Sequence, residues 1–458
     1  ALKFFYNDFL LLLIQRLFVE QKSIGILGFG VEGKSTLRYL IREGFKNIVV
    51  MDKSPVTLPE IDESIKISVF SGEHYKDGLL QCFEVIRSAG FYPLDSELLK
   101  FQMNGGVVKS QVEIFFEKVP AEKIIGVTGT LGKGSTVSMI KHILDAANEP
   151  SEIGGNFGIP MLDLLENKNQ DTTYILELSS FQLMTLGSSP KVGVVLKVSS
   201  EHLDWHKTVE EYRDAKANLV RYQKPFDCCV YMQDALPTSE IAENSAAQKF
   251  PFGSGENAVA KIEGDSLKIG NISLHLSECK VRGIYQLENM AAAALATLAI
   301  GVDIHVIFDA LKTYEALPLR MEFRGEKNGI EFFNDSYATR PDATLAAVRS
   351  MKRPFALILG GSEKNADFTE LFSELALIEK LKSIAFIGAT AERMFKQATE
   401  MNVKAKMEIF NSLEDAFNNS LAIGSGGAIL LSPACASFGL FKNYKHRGEV
   451  FNQLIENF

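Results

Sequence analysis

Gly28 to Thr36 reads GFGVEGKST, and the stretch supports two readings that cannot both be right. Gly28, Gly30 and Gly33 fit the dinucleotide fingerprint G-x-G-x-x-G, while Gly28, Gly33, Lys34 and Ser35 fit the phosphate loop G-x-x-x-x-G-K-[ST]. Further on, GVTGTLGKGST, Gly126 to Thr136, breaks the phosphate-loop pattern. Val127 stands where its first glycine belongs, and Gly134 where Ser or Thr belongs. The flanking sequence tells what kind of fold holds both loops.

KSIGILGFG is a buried strand running into a glycine turn, and EGKSTLRYLIREGF then has helical spacing closed by Gly44. NIVVMD is the next strand and ends on Asp52. Strand, turn, helix and strand in this order open a doubly wound parallel sheet. The pattern restarts at KIIGVTGT with the helical STVSMIKHILDAA, and TTYILELSS and VGVVLKVSS follow as buried strands. A third run, PFALILGGSEKN, SIAFIGAT and GAILLSPACASFG, consists of strands opening into small-residue loops. The expected fold is therefore α/β with three domains, 1–119, 120–318 and 319–458. A chain of 458 residues allows roughly three domains of about 150 residues.

Composition narrows the function. Apolar residues make up 46% and charged residues 23%, as in soluble globular proteins. A net charge of −9 argues against nucleic acid as a partner, so small anions need local positive sites. Five scattered cysteines have neither disulfide-framework nor zinc spacing, which points to a reducing cytoplasm. The apolar run Phe9 to Ile14 is too short to cross a bilayer and lacks signal-peptide features. It reads as a packing helix, with no stable membrane insertion.

Ligands in such sheets collect at the carboxyl ends of strands. In the second loop Thr128, Gly129, Gly132 and Gly134 let backbone N–H groups close around phosphates at a helix N-terminus. Lys133 supplies a point charge, and Ser135 or Thr136 a hydroxyl for Mg²⁺. Glu177 ends a buried strand, where a carboxylate without a cation is costly. SSEHLDWH adds His202, Asp204 and His206, a weak metal signal alone and a stronger one beside a phosphate loop.

TGTLGKGST, GGNFGIP, LELSSFQL, EHLDWH, YRDAKANL, NDSYAT and SPACASFGLFKNYKHRG occur in the order found in the Mur ligases, and the resemblance spans essentially the whole chain. It is strongest to the family's glutamate-adding members. It implies a Rossmann-like domain for a UDP-sugar, a central P-loop ATPase domain and a Rossmann-like domain for the amino acid. The irregular second loop then corresponds to the ATP site, and the regular first loop belongs to the UDP domain. Val31, Glu32, Asp52, Lys53, Ser88 and Gly90 would surround the uridine diphosphate. Thr128, Gly129, Thr130, Gly132, Lys133, Gly134, Ser135 and Thr136, with Asn289, Arg320 and Asp335, would bind ATP. Ser135, Glu177, His202 and a carbamylated Lys216 would hold Mg²⁺. Asn156 and Gln182 would lie near the muramoyl substrate, and Thr339, Lys364, Ser437 and Tyr444 would hold glutamate.

The implied substrates are UDP-N-acetylmuramoyl-L-alanine and glutamate, the D isomer preferred, joined through an acyl phosphate by a monomeric enzyme. Leu319, Tyr337, Gln286 and Gly439 depart from the family pattern; Tyr337 stands where a lysine is usual. The rival readings are an L-glutamate-specific ligase, a folylpolyglutamate synthetase, a nucleotide-binding regulator and a dinucleotide oxidoreductase. The last would use Gly28 to Asp52 and leave two domains unexplained.

Overall fold

The structure, a computed structural model, describes residues 23–166, 170–199, 205–363 and 366–458. The expected helix around Phe9 to Ile14 lies outside them. The chain groups into two compact units: the described residues up to Lys261 with Ala291–Phe308, and Ile262–Met290 with Asp309–Phe458.

The first unit begins with strands β1 (Ser23–Leu27), β2 (Asn47–Asp52), β3 (Lys66–Ser71), β4 (Cys82–Arg87) and β5 (Val107–Ser110). They form a parallel sheet in the order β3-β2-β1-β4-β5. Ile24, Ile26, Ile48 and Val50 are buried, because parallel strands covered on both faces need near-continuous apolar sequence. The strand order reverses between β1 and β4, which places the ligand crevice at the loops after them. Gly28 is left-handed at φ +91, and a Cβ at Gly33 would lie 2.0 Å from the Gly28 carbonyl oxygen. The glycine spacing is thus fixed by the packing of turn against helix.

A second parallel series in this unit holds β6 (Ile124–Thr128), β7 (Ser151–Gly155), β8 (Thr173–Glu177), β9 (Val192–Val195), β10 (Cys228–Met232), β11 (Gln248–Gly253) and the start of β12 (Ala260–Glu263). Their order is β12-β11-β10-β9-β6-β8-β7. β6 is central, between β8 and β9, so the switch point falls at its carboxyl end. The two sheets share one unit because side chains cross the boundary expected near Pro120. Arg38 pairs with Asp163, Arg42 Nη2 donates to the Leu162 carbonyl at 2.7 Å, and buried Arg87 donates to Thr185 Oγ1 at 3.0 Å.

The second unit contains an antiparallel hairpin, β13 (Ser266–Ile269) and β14 (Ile272–His275), and a six-stranded sheet. That sheet holds β15 (Glu322–Lys327), β16 (Ile330–Asn334), β17 (Phe355–Gly360), β18 (Leu381–Ile387), β19 (Lys406–Phe410) and β20 (Ala428–Leu431). Its order is β15-β16-β20-β17-β18-β19, antiparallel only at β15–β16. Leu357, Leu359 and Phe386 pack on one face, and Phe332, Ile358 and Ile387 on the other. Among the described residues no helix is long and apolar enough to cross a membrane.

Candidate active site

The loop after β6 closes tightly and leads straight into the helix Lys133–Ala146. Gly129 has φ +150 and Gly132, the helix N-cap, φ +85, conformations that residues with a Cβ rarely adopt. A Cβ at Gly129 would lie 2.7 Å from Leu196 Cβ, so the loop rests against the segment leaving β9. Thr130 N–H donates to the Lys197 carbonyl at 2.9 Å, and Thr130 Oγ1 accepts from Ser199 N–H at 2.9 Å. Thr128 Oγ1 donates to the Leu178 carbonyl at 2.8 Å. Ser135 and Thr136 are buried in the first helical turn, where the helix dipole is positive.

Two lysines meet at this loop. Lys133 Nζ donates to the carbonyls of Gly129 and Thr130, both at 3.0 Å. Lys216 is only 2% exposed and reaches the same Gly129 carbonyl from the helix Val209–Arg221, at 2.9 Å. Its Nζ also lies 4.7 Å from the centroid of the Tyr212 ring. Two lysine side chains thus converge on one carbonyl at a helix N-terminus, the end of a helix that favours anions.

Glu177 ends β8 beside β6 and is 4% exposed. Among the described residues its carboxylate accepts a hydrogen bond from Asn156 Nδ2 at 2.8 Å and makes no ion pair. A Cβ at Gly155 would stand 2.3 Å from the Glu177 carbonyl oxygen, so glycine is what lets Asn156 approach. A buried carboxylate with no cation beside it is the donor chemistry a divalent metal satisfies, so the site fits Mg²⁺. Among the described residues no three His, Cys, Asp or Glu side chains form a ligand cluster. The expected ligand His202 lies outside those residues. His206 is fully buried, with Nε2 2.9 Å from Ser180 Oγ, and packs between Phe181, Trp205 and Tyr212.

The first loop is built differently. Lys34 is exposed, while Ser35 is wholly buried and among the described residues its hydroxyl has no hydrogen-bond partner. Residues that face opposite ways cannot grip one triphosphate. Asp52 accepts from Phe29 N–H at 2.6 Å and Ser54 N–H at 2.7 Å, which pins the glycine turn. Ser88 Oγ donates to the Gly28 carbonyl at 3.0 Å. Glu32 accepts from Ala89 N–H at 2.8 Å and from Gln182 Nε2 at 3.1 Å, joining the first loop to LELSSFQL. Trp205 Nε1 donates to the Gly90 carbonyl at 3.0 Å and makes a second such tie. Val31 is 73% exposed and Lys53 is exposed, at the open side of the crevice.

In the second unit Asn289 Nδ2 donates to Gln286 Oε1 at 3.1 Å, both residues buried. Asp335 is buried and accepts from Met321 N–H at 3.0 Å and Ser432 Oγ at 2.7 Å. Burial pushes its carboxyl up to about 7, against the pull of those two donors and of Arg320 and Arg447. Thr339 N–H donates to the carbonyl of Tyr337 at 2.8 Å, and the Tyr337 ring meets that of Tyr444 with centroids 5.0 Å apart. Ser362 bridges to Ala436, next to buried Ser437, and among the described residues the Ser362 hydroxyl has no partner. Lys364 lies outside the described residues.

Two further residues support this region, Arg447 of KHRG and Ser336 of NDSYAT, to which the motifs alone assign no role. Arg447, in KHRG, is fully buried and donates to Ser336 Oγ, the Ser336 carbonyl and the Cys435 carbonyl at 2.8–3.0 Å. Desolvation holds its guanidinium down to about 10. Ser336 Oγ in turn donates to the Tyr444 carbonyl at 2.8 Å. The sequence signal was an arginine inside an otherwise helical, core-facing stripe.

A glycine-walled loop at a helix N-terminus, two converging lysines and a buried carboxylate define an enzyme that handles a nucleoside triphosphate. Residues 127–297 match the Mur ligase middle domain, and residues 319–435 match the Mur ligase glutamate ligase domain. The UDP-N-acetylmuramoylalanine–D-glutamate ligase of Clostridium kluyveri is 34% identical over 452 residues, 96% of this chain and 98% of that protein. The ligase of the same name from Acetivibrio thermocellus is 34% identical over 457 residues, covering 96% and 97%. MurF from Acinetobacter baumannii shares the fold with a TM-score of 0.63 and 18% identity, covering 95% of this chain and 91% of that one. FolC of E. coli shares it more loosely, with a TM-score of 0.54, 15% identity and coverage of 76% and 93%. The chain belongs to the Mur ligase family. It is an ATP-dependent amide ligase of peptidoglycan synthesis.

Proposed function

We propose that the protein joins D-glutamate to UDP-N-acetylmuramoyl-L-alanine, acting as a cytoplasmic monomer with domains 1–119, 120–318 and 319–458. The observation that carries the reading is the meeting of Lys133 and Lys216 at the Gly129 carbonyl, beside Glu177. In the first step the alanyl carboxylate attacks the γ-phosphorus of ATP, and ADP leaves with the electrons of the broken P–O bond. The glutamate amine then attacks the acyl phosphate carbonyl, loses a proton and expels phosphate. Two anions must approach in the first step, so this chain contributes mainly position and positive charge. Lys133 leaves its loop carbonyls to bind the phosphates, and the amides at the start of the helix Lys133–Ala146 receive them.

Ser135, Glu177, His202 and Lys216 are the proposed Mg²⁺ ligands; the metal supplies charge neutralisation on the phosphates. Lys216 works as a carbamate in this reading. Repulsion between two ammonium groups at one carbonyl favours the neutral amine of Lys216, whose nitrogen bonds to CO₂ and releases a proton to solvent, leaving a carbamate anion that Lys133 and the metal would attract. Asn156 and Gln182 face the muramoyl side, and Val31, Glu32, Asp52, Lys53, Ser88 and Gly90 the uridine diphosphate. Asn289, Arg320 and Asp335 are assigned to the nucleotide, and Thr339, Lys364, Ser437 and Tyr444 to glutamate, on family resemblance. A lysine matched to the side-chain carboxylate discriminates against amino acids that lack one.

The test is phosphate release by the purified protein with ATP, UDP-N-acetylmuramoyl-L-alanine and D- or L-glutamate. Release that needs all three substrates and is faster with D-glutamate supports the reading. Faster L-glutamate incorporation overturns the stereochemical assignment, and activity on a folate in place of the UDP-sugar overturns the substrate. Lys133→Ala should abolish turnover, while Lys34→Ala should leave KM for ATP nearly unchanged. Equal loss in both would return the first loop to ATP.

A further inference from the structure

Arg320 stands between two residues whose backbone is left-handed, Leu319 at φ +64 and Met321 at φ +46. Neither is glycine, and such conformations persist only where neighbouring contacts over-determine them. Here the contacts are plain. Leu319 N–H donates to Glu322 Oε2 at 2.8 Å, Tyr337 N–H donates to the Leu319 carbonyl at 3.0 Å, and Met321 N–H donates to Asp335 Oδ1 at 3.0 Å. The Leu319 side chain covers Gly448, where a Cβ would come within 2.4 Å of Leu319 Cδ2.

This clamp delivers the Arg320 guanidinium onto the face of Tyr337, 3.7 Å from the ring centroid. The Tyr337 ring meets Tyr444 edge-on, at 79° and 5.0 Å between centroids. Tyr337 is 40% exposed, so core packing does not account for an aromatic residue there. A lysine at this position would put a second cation beside Arg320; the tyrosine offers the negative face of a ring.

We propose that Tyr337 is a positioning residue that holds Arg320 in the orientation that binds the nucleotide, and that its contact with Tyr444 couples nucleotide binding to occupation of the amino-acid pocket. The inference rests on the ligase reading, which assigns Arg320 to the nucleotide and Tyr444 to glutamate. Glutamate against Tyr444 fixes that ring, the fixed ring steadies Tyr337, and Arg320 loses less freedom when phosphate arrives.

The experiment is calorimetric titration of Mg²⁺ and a non-hydrolysable ATP analogue into wild type, Tyr337→Phe and Tyr337→Leu, with and without D-glutamate, beside melting curves and steady-state kinetics. Tyr337→Phe keeps the ring and should bind within about twofold of wild type, whereas Tyr337→Leu should bind about fivefold more weakly. KM for ATP should rise by a similar factor in Tyr337→Leu, with kcat at saturating ATP changed less than about twofold. Glutamate should tighten analogue binding in wild type and Tyr337→Phe but not in Tyr337→Leu. Unchanged affinity in Tyr337→Leu overturns the proposal, as does an equal loss in Tyr337→Phe or a matching fall in melting temperature. Absence of glutamate tightening in wild type overturns the coupling. Failure of wild type to release phosphate fails the ligase reading instead, and the titration still decides the stack.

Discussion

Asp335 makes a signed prediction about stability. Its carboxyl is pushed from an ordinary 3.8 up to about 7, because burial disfavours the charged form more than Ser432, Met321 N–H, Arg320 and Arg447 favour it. A carboxyl whose folded pKa is raised holds its proton in the folded state after the unfolded chain has released it. The contribution of the protonated form is therefore full below about pH 4 and is lost as pH rises through about 7. A difference of about three units at 1.36 kcal/mol each is on the order of 4 kcal/mol. Asp335→Asn cannot titrate and keeps an acceptor for Met321 N–H. The assay is urea unfolding of both proteins from pH 4 to pH 8, following the transition that includes the second unit. Wild type should lose stability relative to the variant with a slope near 1.4 kcal/mol per pH unit, flattening above about pH 7.5. Parallel curves across that range would show that Asp335 ionises normally and refute the burial argument.

Other outcomes are as direct. Trp205 is the sole tryptophan of the chain and donates to the Gly90 carbonyl, so UDP-sugar should shift its emission while ATP alone shifts it less; identical responses would count against the placement of Gly90. Gly33→Ala drives a Cβ into the Gly28 carbonyl and should cost about 3 kcal/mol in urea melts, with a cost under about 1 kcal/mol showing that the turn can relax. Lys216→Ala should fold, lose most turnover and regain part of it with short-chain carboxylates; near-normal turnover without rescue would mean that Lys216 is not a metal ligand.

Much of this was readable from sequence because parallel strands buried on both faces leave long apolar runs that end in glycines. SIGIL, IIGVT and FALILG are such runs, and each became a strand. The burial of Lys216 was not legible from local pattern, which alone reads as a surface lysine; only the family resemblance argued for a site role. In the structure Lys216 shares a helical stripe with Tyr212, Ala215, Leu219 and Val220, all of them buried. Long-range partners were not legible. Glu32 meets Gln182 from 150 residues away, and Ser432 reaches Asp335 because β20 lies beside β16, an adjacency no local pattern encodes. Arg320 was singled out, yet its stack on Tyr337 depends on two strained residues that a motif cannot show.

The two glycine loops show why pattern length misleads. A phosphate loop works when its lysine and its hydroxyl converge on one ligand, and convergence is a property of the helix phase after the last glycine. In the first loop that phase turns Lys34 to solvent and Ser35 into the core, where its hydroxyl has no partner among the described residues. In the second loop the extra Gly134 moves the hydroxyls one position along the helix. Lys133 then folds over the Gly129 carbonyl, and Lys216 arrives there from a separate helix. The loop that breaks the pattern is the one whose side chains meet.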